Sequence, residues 1–167
     1  MPILAIAQNH FKGSNYIDVT AALTDQMTLM PSVGYGHDFS DWFSLNARYN
    51  YSMPGKTNEY RFYHHSLDIF PKFVIHNFDD AWGINLMVGI SQSINSYSEI
   101  PRPNFNPHVY NVGYLVGLEY ENIINNNIAL YSSITNRGYF LDTRNRFELL
   151  YQVGVRLNFG IFSKFFN

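Results

Sequence analysis

The segment Tyr151-Gln152-Val153-Gly154-Val155-Arg156-Leu157-Asn158-Phe159 alternates without a break, apolar at every odd position and polar or glycine at every even one. A period of two is the mark of a strand with two unlike faces. One such run fits a soluble antiparallel sheet as well as a membrane barrel. The decision comes from the rest of the chain, where the pattern recurs and aromatic residues mark the ends of the apolar face.

Phe43, Leu45, Ala47, Tyr49 and Tyr51 alternate with Ser44, Asn46, Arg48 and Asn50 in a strand expected over Trp42 to Ser52, and a one-residue slip there would turn Arg48 to the apolar side. Trp82, Ile84, Leu86, Val88 and Ile90 stand against Gly83, Asn85, Met87, Gly89 and Ser91, and Tyr110, Val112, Tyr114, Val116, Leu118 and Tyr120 against Asn111, Gly113, Leu115, Gly117 and Glu119. The same alternation gives strands over Tyr16 to Leu23, Met27 to Gly36, Tyr60 to Phe70 and from Ile128, making eight with the opening one. Pro31 is an awkward member of its strand because it has no N–H to donate. Phe73, Val74 and Ile75 are candidates to extend the fourth strand beyond Pro71.

Connection lengths alternate as well. His37 to Asp41, His76 to Ala81 and Glu121 to Asn127 are short and rich in Asp and Asn, whereas Met53 to Glu59, Asn95 to His108 and Asn136 to Arg146 are long. Only Thr24 to Gln26 departs from this order. Tyr35, Trp42, Trp82, Tyr120 and Phe159 fall beside the short joins, and Tyr51, Tyr63 and Tyr110 beside the long ones. Two aromatic rings with short turns at one end describe a barrel in a bilayer, its amphipathic rings at headgroup level and its short turns in the periplasm. A soluble sandwich or lipocalin-like barrel would invert the phase and turn the aromatic set into its core. The expected fold is therefore all-β, an eight-stranded antiparallel up-and-down transmembrane β-barrel over residues 15–160, with an N-terminal segment 1–14 and a Phe-rich tail 161–167.

Composition agrees with one such domain. The chain has 167 residues, 13 Tyr and 14 Phe against 14% charged residues, and a formal charge of -2, which argues against a nucleic-acid partner. It has no Cys, so neither a disulfide framework nor a thiolate metal site is available. No run of about 18 apolar residues is present. Ala5 and Ala7 before Gln8 have the spacing of a signal-peptide cleavage site, without a basic leader or long apolar core. Ile3 to Gln8 is either a signal remnant or a short apolar N-terminus.

The pattern resembles the small eight-stranded outer-membrane barrels of the OmpA and OmpX type, found in the Gram-negative outer membrane. Gln152, Gly154, Leu157 and Phe159 match the polar-x-Gly-x-x-apolar-x-aromatic signal of the last strand in that class. The resemblance implies recognition by the barrel assembly machinery and contact with outer-membrane lipid and lipopolysaccharide. That signal usually closes the chain, whereas here Gly160 to Asn167 follow it. A second resemblance, to the TraO conjugative-transposon barrels, rests on the Ala-Gln start, the length and the ending Gly154 to Phe159. It implies an accessory of a DNA-transfer apparatus.

The inward set Asp18, Asn46, Arg48, His64, Asp68, Glu119, Gln152 and Arg156 is expected to form a charged network across the lumen, with Met30, Met87, Leu115 and Tyr131 filling the remaining space. Eight strands enclose little more than side chains, so these charges should pair. Trp42, Trp82, Tyr120, Arg102, Arg144 and Arg146 are candidates for lipid-headgroup contact, and Arg137 is placed with the loop arginines, whose guanidinium groups suit phosphate. His64 and Ser66 share a face, as a base and nucleophile would in a lipid A deacylase, but that enzyme type carries Asn where Leu67 stands and presents its site to the membrane. No metal array, phosphate loop or cofactor site is apparent. The expected role is non-enzymatic: a structural or accessory subunit of a larger membrane assembly, such as a secretion or conjugation apparatus. The alternatives are a lipid-modifying enzyme using His64 and Ser66, and a narrow pore.

Overall fold

The computed structural model describes residues 13–25, 28–52, 62–78, 82–97, 108–125, 127–140 and 147–159. Eight strands, β1 (Asn15–Thr24), β2 (Leu29–Ser40), β3 (Phe43–Ser52), β4 (Phe62–Phe78), β5 (Trp82–Tyr97), β6 (His108–Asn125), β7 (Ile128–Tyr139) and β8 (Phe147–Asn158), pair in sequence order. Antiparallel pairing of β8 with β1 closes the barrel.

Register fixes the geometry. Stepping between paired residues from Thr20 through Ser32, Asn50 and Ser66 reaches Ser93 on β5. Stepping the other way, through Gly154, Tyr131 and Glu121, reaches Gly83, ten residues away on the same strand. For eight strands this stagger gives a tilt of about 40° and a backbone radius of about 8 Å, room for side chains and little else.

The outer face is apolar. Val19, Val33, Leu118, Ile134 and Val153 are each at least half exposed, as lipid-facing residues are in an isolated barrel. Among the described residues every charged side chain on a strand turns inward: Asp18, Asp38, Arg48, Asp68, Lys72, Glu119, Glu121, Arg137 and Arg156 are buried, and Glu148 is 18% exposed and paired with Arg137. On β6 the outer row from Tyr110 to Tyr120 climbs about 25 Å at this tilt, the height of a bilayer's apolar band.

Strands reach further than expected at the short-turn end. His37 to Ser40, His76 to Phe78 and Glu121 to Asn125 are strand, leaving only Asp41 and Trp42 between β2 and β3. Their Asp- and Asn-rich composition reads as turn, yet Asp38 and Glu121 take inward positions that continue the alternation. Bulges at Val74/His76 and Ile123/Asn125 absorb the irregularity in β4 and β6. Pro71 does not end β4. The ladder to β5 passes over Phe70 and Pro71 and resumes at Lys72, and opposite this point a Cβ on Gly89 would lie 2.3 Å from the Ile69 carbonyl oxygen, so only glycine admits the close approach. At the other end β7 runs to Tyr139 through residues expected in a loop. Ala5, Ala7, residues 53–61 and 98–107 and the tail 161–167 lie outside the described residues.

Inside, two small apolar clusters, Phe70 with Met87 and Leu115, and Ala22 with Met30 and Leu150, pack beside the polar side chains. Tyr16 and Tyr131 lie across their paired glycines Gly36 and Gly154, where an added Cβ would come within 2.2 Å and 2.6 Å of the ring. The bare glycine lets the ring lie flat against the wall, which is how a narrow lumen accommodates tyrosine.

The lumen network as candidate functional site

Alternation brings the inward charges to a few levels of the barrel, and the low-dielectric lumen forces them to pair. Arg156 on β8 is the hub of the lower group. Its Nε donates to Asp18 at 2.9 Å, Nη2 to Glu119 at 3.2 Å, and Nη1 stands 2.6 Å from Glu121. Lys72 on β4 reaches over β5 to hold Glu119 at 3.2 Å and Glu121 at 3.6 Å on β6. Arg48 lies 3.4 Å from Asp18 and donates to Gln152 at 2.9 Å. Asn85 donates to Glu119 and Glu121, at 3.2 Å and 3.1 Å. Three acids, Asp18, Glu119 and Glu121, thus meet three bases, Arg48, Lys72 and Arg156.

Aromatic faces line the same group. The Arg156 guanidinium sits 4.4 Å from the Tyr16 ring and 5.0 Å from Tyr131, and Arg48 lies 5.2 Å from Phe70. The Tyr16 hydroxyl donates to Asn46 and to Ser44. These contacts make a plug across the short-turn half of the barrel.

A second group lies toward the long-loop end. Arg137 on β7 spans the lumen to Asp68 on β4 and bonds Glu148 on β8 at 3.2 Å, with Asn50 donating to Asp68 at 2.9 Å. Arg137 is fully buried, which corrects its expected place among the loop arginines. Asn136-Arg137-Gly138 has loop composition, but the alternation of β7 carries Arg137 inward to two waiting carboxylates. Arg102, Arg144 and Arg146 lie outside the described residues.

His64 and Ser66 both face the lumen, 7% and 2% exposed. His64 Nδ1 is 2.6 Å from the Asn95 side-chain oxygen, its ring stands edge-on to Tyr139, and the Ser66 hydroxyl accepts from Asn50 at 3.2 Å. Neither presents a reacting atom to the membrane. Among the described residues no group of three or more His, Asp or Glu could hold a metal ion.

In the last strand Gln152 turns inward and accepts from Arg48 and Ser133, Gly154 underlies Tyr131, and Leu157 and Phe159 point outward. The Phe159 N–H donates to the Asn15 carbonyl, fastening the end of β8 to the start of β1. Trp42 stacks on Phe73 at 6.3 Å, and Trp82 lies 4.0 Å from Phe78 and 5.7 Å from Tyr120, a ring of aromatics at the short-turn end.

Lys72, Glu121 and Glu148 were not anticipated as network members. Lys72 follows a proline that reads as a strand end, and Glu121 opens a run of Asn that reads as a turn. An inward parity carried past each apparent break would have found both.

No protein-family model and no curated protein matches the chain. Solved structures do. The N-terminal β-barrel domain of Pseudomonas aeruginosa OprF aligns with a TM-score of 0.65 at 15% identity, over 89% of this chain and 98% of that one. Ail, the attachment invasion locus protein of Yersinia pestis, aligns with a TM-score of 0.63 at 11% identity, over 89% and 100%. The outer-membrane enzyme PagL aligns with a TM-score of 0.56 at 15% identity, over 85% and 98%. The fold is that of the small eight-stranded outer-membrane barrels, the class that resides in the Gram-negative outer membrane. The TraO resemblance has no counterpart among these structures.

Proposed function

We propose that the chain is a non-enzymatic outer-membrane barrel serving as a structural or accessory subunit of a larger membrane assembly, such as a secretion or conjugation apparatus. The observation that carries this is the lumen. Its charges are turned on one another, Arg156 alone engaging three carboxylates, so that among the described residues the charged groups of the interior are committed to pairing. What remains for interaction is the outer face, the loops and the exposed aromatics, with Trp42 60% exposed at the short-turn end. Barrel-assembly recognition through Gln152, Gly154, Leu157 and Phe159 belongs to the same proposal, as do headgroup contacts by Trp42, Trp82 and Tyr120 and by the loop residues Arg102, Arg144 and Arg146 with lipopolysaccharide.

The enzyme reading takes its support from PagL, an enzyme on the same fold, but His64 and Ser66 are buried in the lumen here. The test is a photo-crosslinker at position 42, with purification in mild detergent. A discrete crosslinked protein supports the accessory role. A lone monomer under every condition, or a lipid-processing activity lost in His64→Ala, refutes it.

A further inference from the structure

The charged side chains of the strands turn inward, but His65 on β4 turns outward near the long-loop end, half-buried beside two tyrosines. Its Nδ1 is 2.6 Å from the Tyr49 hydroxyl, and its ring centre lies 6.1 Å from that of Tyr49 and 5.1 Å from that of Tyr51, both on β3. Register joins Tyr51, His65, Ile94 and Tyr110 in one outward row. At the barrel's tilt His65 falls about 3 Å above Tyr51 and about 6 Å below Tyr110, inside the upper aromatic ring, where lipid headgroups meet the acyl chains.

With the Tyr49 hydroxyl donating to Nδ1, the imidazole carries its proton on Nε2, and a second proton adds a donor at Nδ1 without removing the first. The nitrogen left for a ligand is therefore a donor, and in the protonated ring a charged one. No acid on this wall answers it. Among the described residues of β3, β4 and β5 the one carboxylate is Asp68, which is buried in the lumen and paired with Arg137. Gln92 on β5 pairs with Leu67, which sets it diagonal to His65 on the same exposed wall. Diagonal neighbours stand about 7 Å apart, a gap that one tetrahedral oxyanion spans, and the Gln92 carboxamide has N–H groups to offer from the far side.

We infer that His65, oriented by Tyr49 and joined by Gln92, binds the phosphate of one anionic lipid of the outer leaflet. The donors select an anion, since a cation would be refused by Nε2–H and a neutral hydroxyl would leave the protonated ring without a counter-charge. The place on the membrane-facing wall selects a lipid. A free phosphate would have to leave water to reach this depth, whereas a lipid carries its phosphate there. The inference rests on the headgroup contacts of the proposed function and gives them a specific place. It does not depend on the accessory role: a lone monomer that retains the lipid would refute that role and leave this site standing.

The test is native mass spectrometry of the full chain released from mixed micelles of phosphatidylcholine with phosphatidic acid, or with diacylglycerol, which lacks the phosphate. The wild type should retain a single phosphatidic acid in preference to either other lipid. His65→Phe keeps a ring against Tyr51 and should reduce that retention at least about tenfold, the worth of one hydrogen bond to a charged group. His65→Arg should keep it, and His37→Phe, at the short-turn end, should leave it unchanged. Heat modifiability on a gel reports the folding of each variant. If His65→Phe does not fold, Tyr49→Phe, which removes only the hydroxyl that orients the ring, should still weaken retention. Equal retention of phosphatidic acid and diacylglycerol, undiminished retention in folded His65→Phe, or an equal loss in His37→Phe would overturn the inference. Displacement by excess inorganic phosphate would overturn the lipid as the source of the phosphate.

Discussion

Replacing Arg156 by Met keeps the volume and removes the charge at the centre of the plug. Arg156 is 1% exposed and reaches Asp18, Glu119 and Glu121, so the variant leaves three buried acids to Arg48 and Lys72. An uncompensated buried charge costs about 3 to 5 kcal/mol. Loss of the guanidinium from between Tyr16 and Tyr131 contributes up to about 2 kcal/mol of that destabilisation. Urea unfolding in lipid vesicles, followed by the fluorescence of Trp42 and Trp82, should therefore show a loss of about 4 kcal/mol. Adding Glu121→Gln restores the balance of charge and should recover a coupling energy of about 1 to 3 kcal/mol. A loss below about 1 kcal/mol, or no recovery in the double variant, would mean that Arg156 is hydrated and the plug is not closed.

Val88→Arg, on the outer face at mid-height, should cost about 2 to 4 kcal/mol in the same assay, and Ile128→Arg at the short-turn rim about 1 or less; the opposite ranking would refute a lipid-facing surface. Gly36→Ala would drive a Cβ to 2.2 Å from the Tyr16 ring and should destabilise by about 1 to 3 kcal/mol, whereas Gly34→Ala, whose nearest neighbour is at 3.3 Å, should cost less; equal losses would mean that Tyr16 is free to move. Heat modifiability on a denaturing gel should be shown by the wild type and kept by His64→Ala, whose side chain bonds Asn95 and meets the Tyr139 ring edge-on at the upper rim; its loss in that variant would give His64 a structural weight that these contacts do not supply.

The fold was legible because alternation over β3, β5, β6 and β8 is nearly unbroken and a one-residue slip in β3 would send Arg48 into lipid. Strand ends were less so. Residues such as Glu121 and Arg137 have the composition of turns, and what holds them in strands is the partner they meet inside the lumen, which no local pattern displays; Asp38 is held instead by Ser14, beside it immediately before β1. The same holds for the network. Asp18, Glu119 and Arg156 could be placed on the inner face by parity alone, but that Arg137 would reach Asp68 and that Lys72 would meet Glu119 depends on the stagger of the closed barrel. That stagger is a property of all eight registers together. His64 shows the reverse case: parity turned it inward, and its burial beside Asn95 follows from that parity.

Planar-bilayer recording of the purified wild-type chain measures most directly whether the barrel is sealed. With Arg156, Lys72 and Arg48 paired to Asp18, Glu119 and Glu121 across a lumen of about 8 Å backbone radius, reconstituted protein should insert without sustained ion conductance. Stable, reproducible openings of uniform size in the wild type would contradict the sealed lumen and favour a pore.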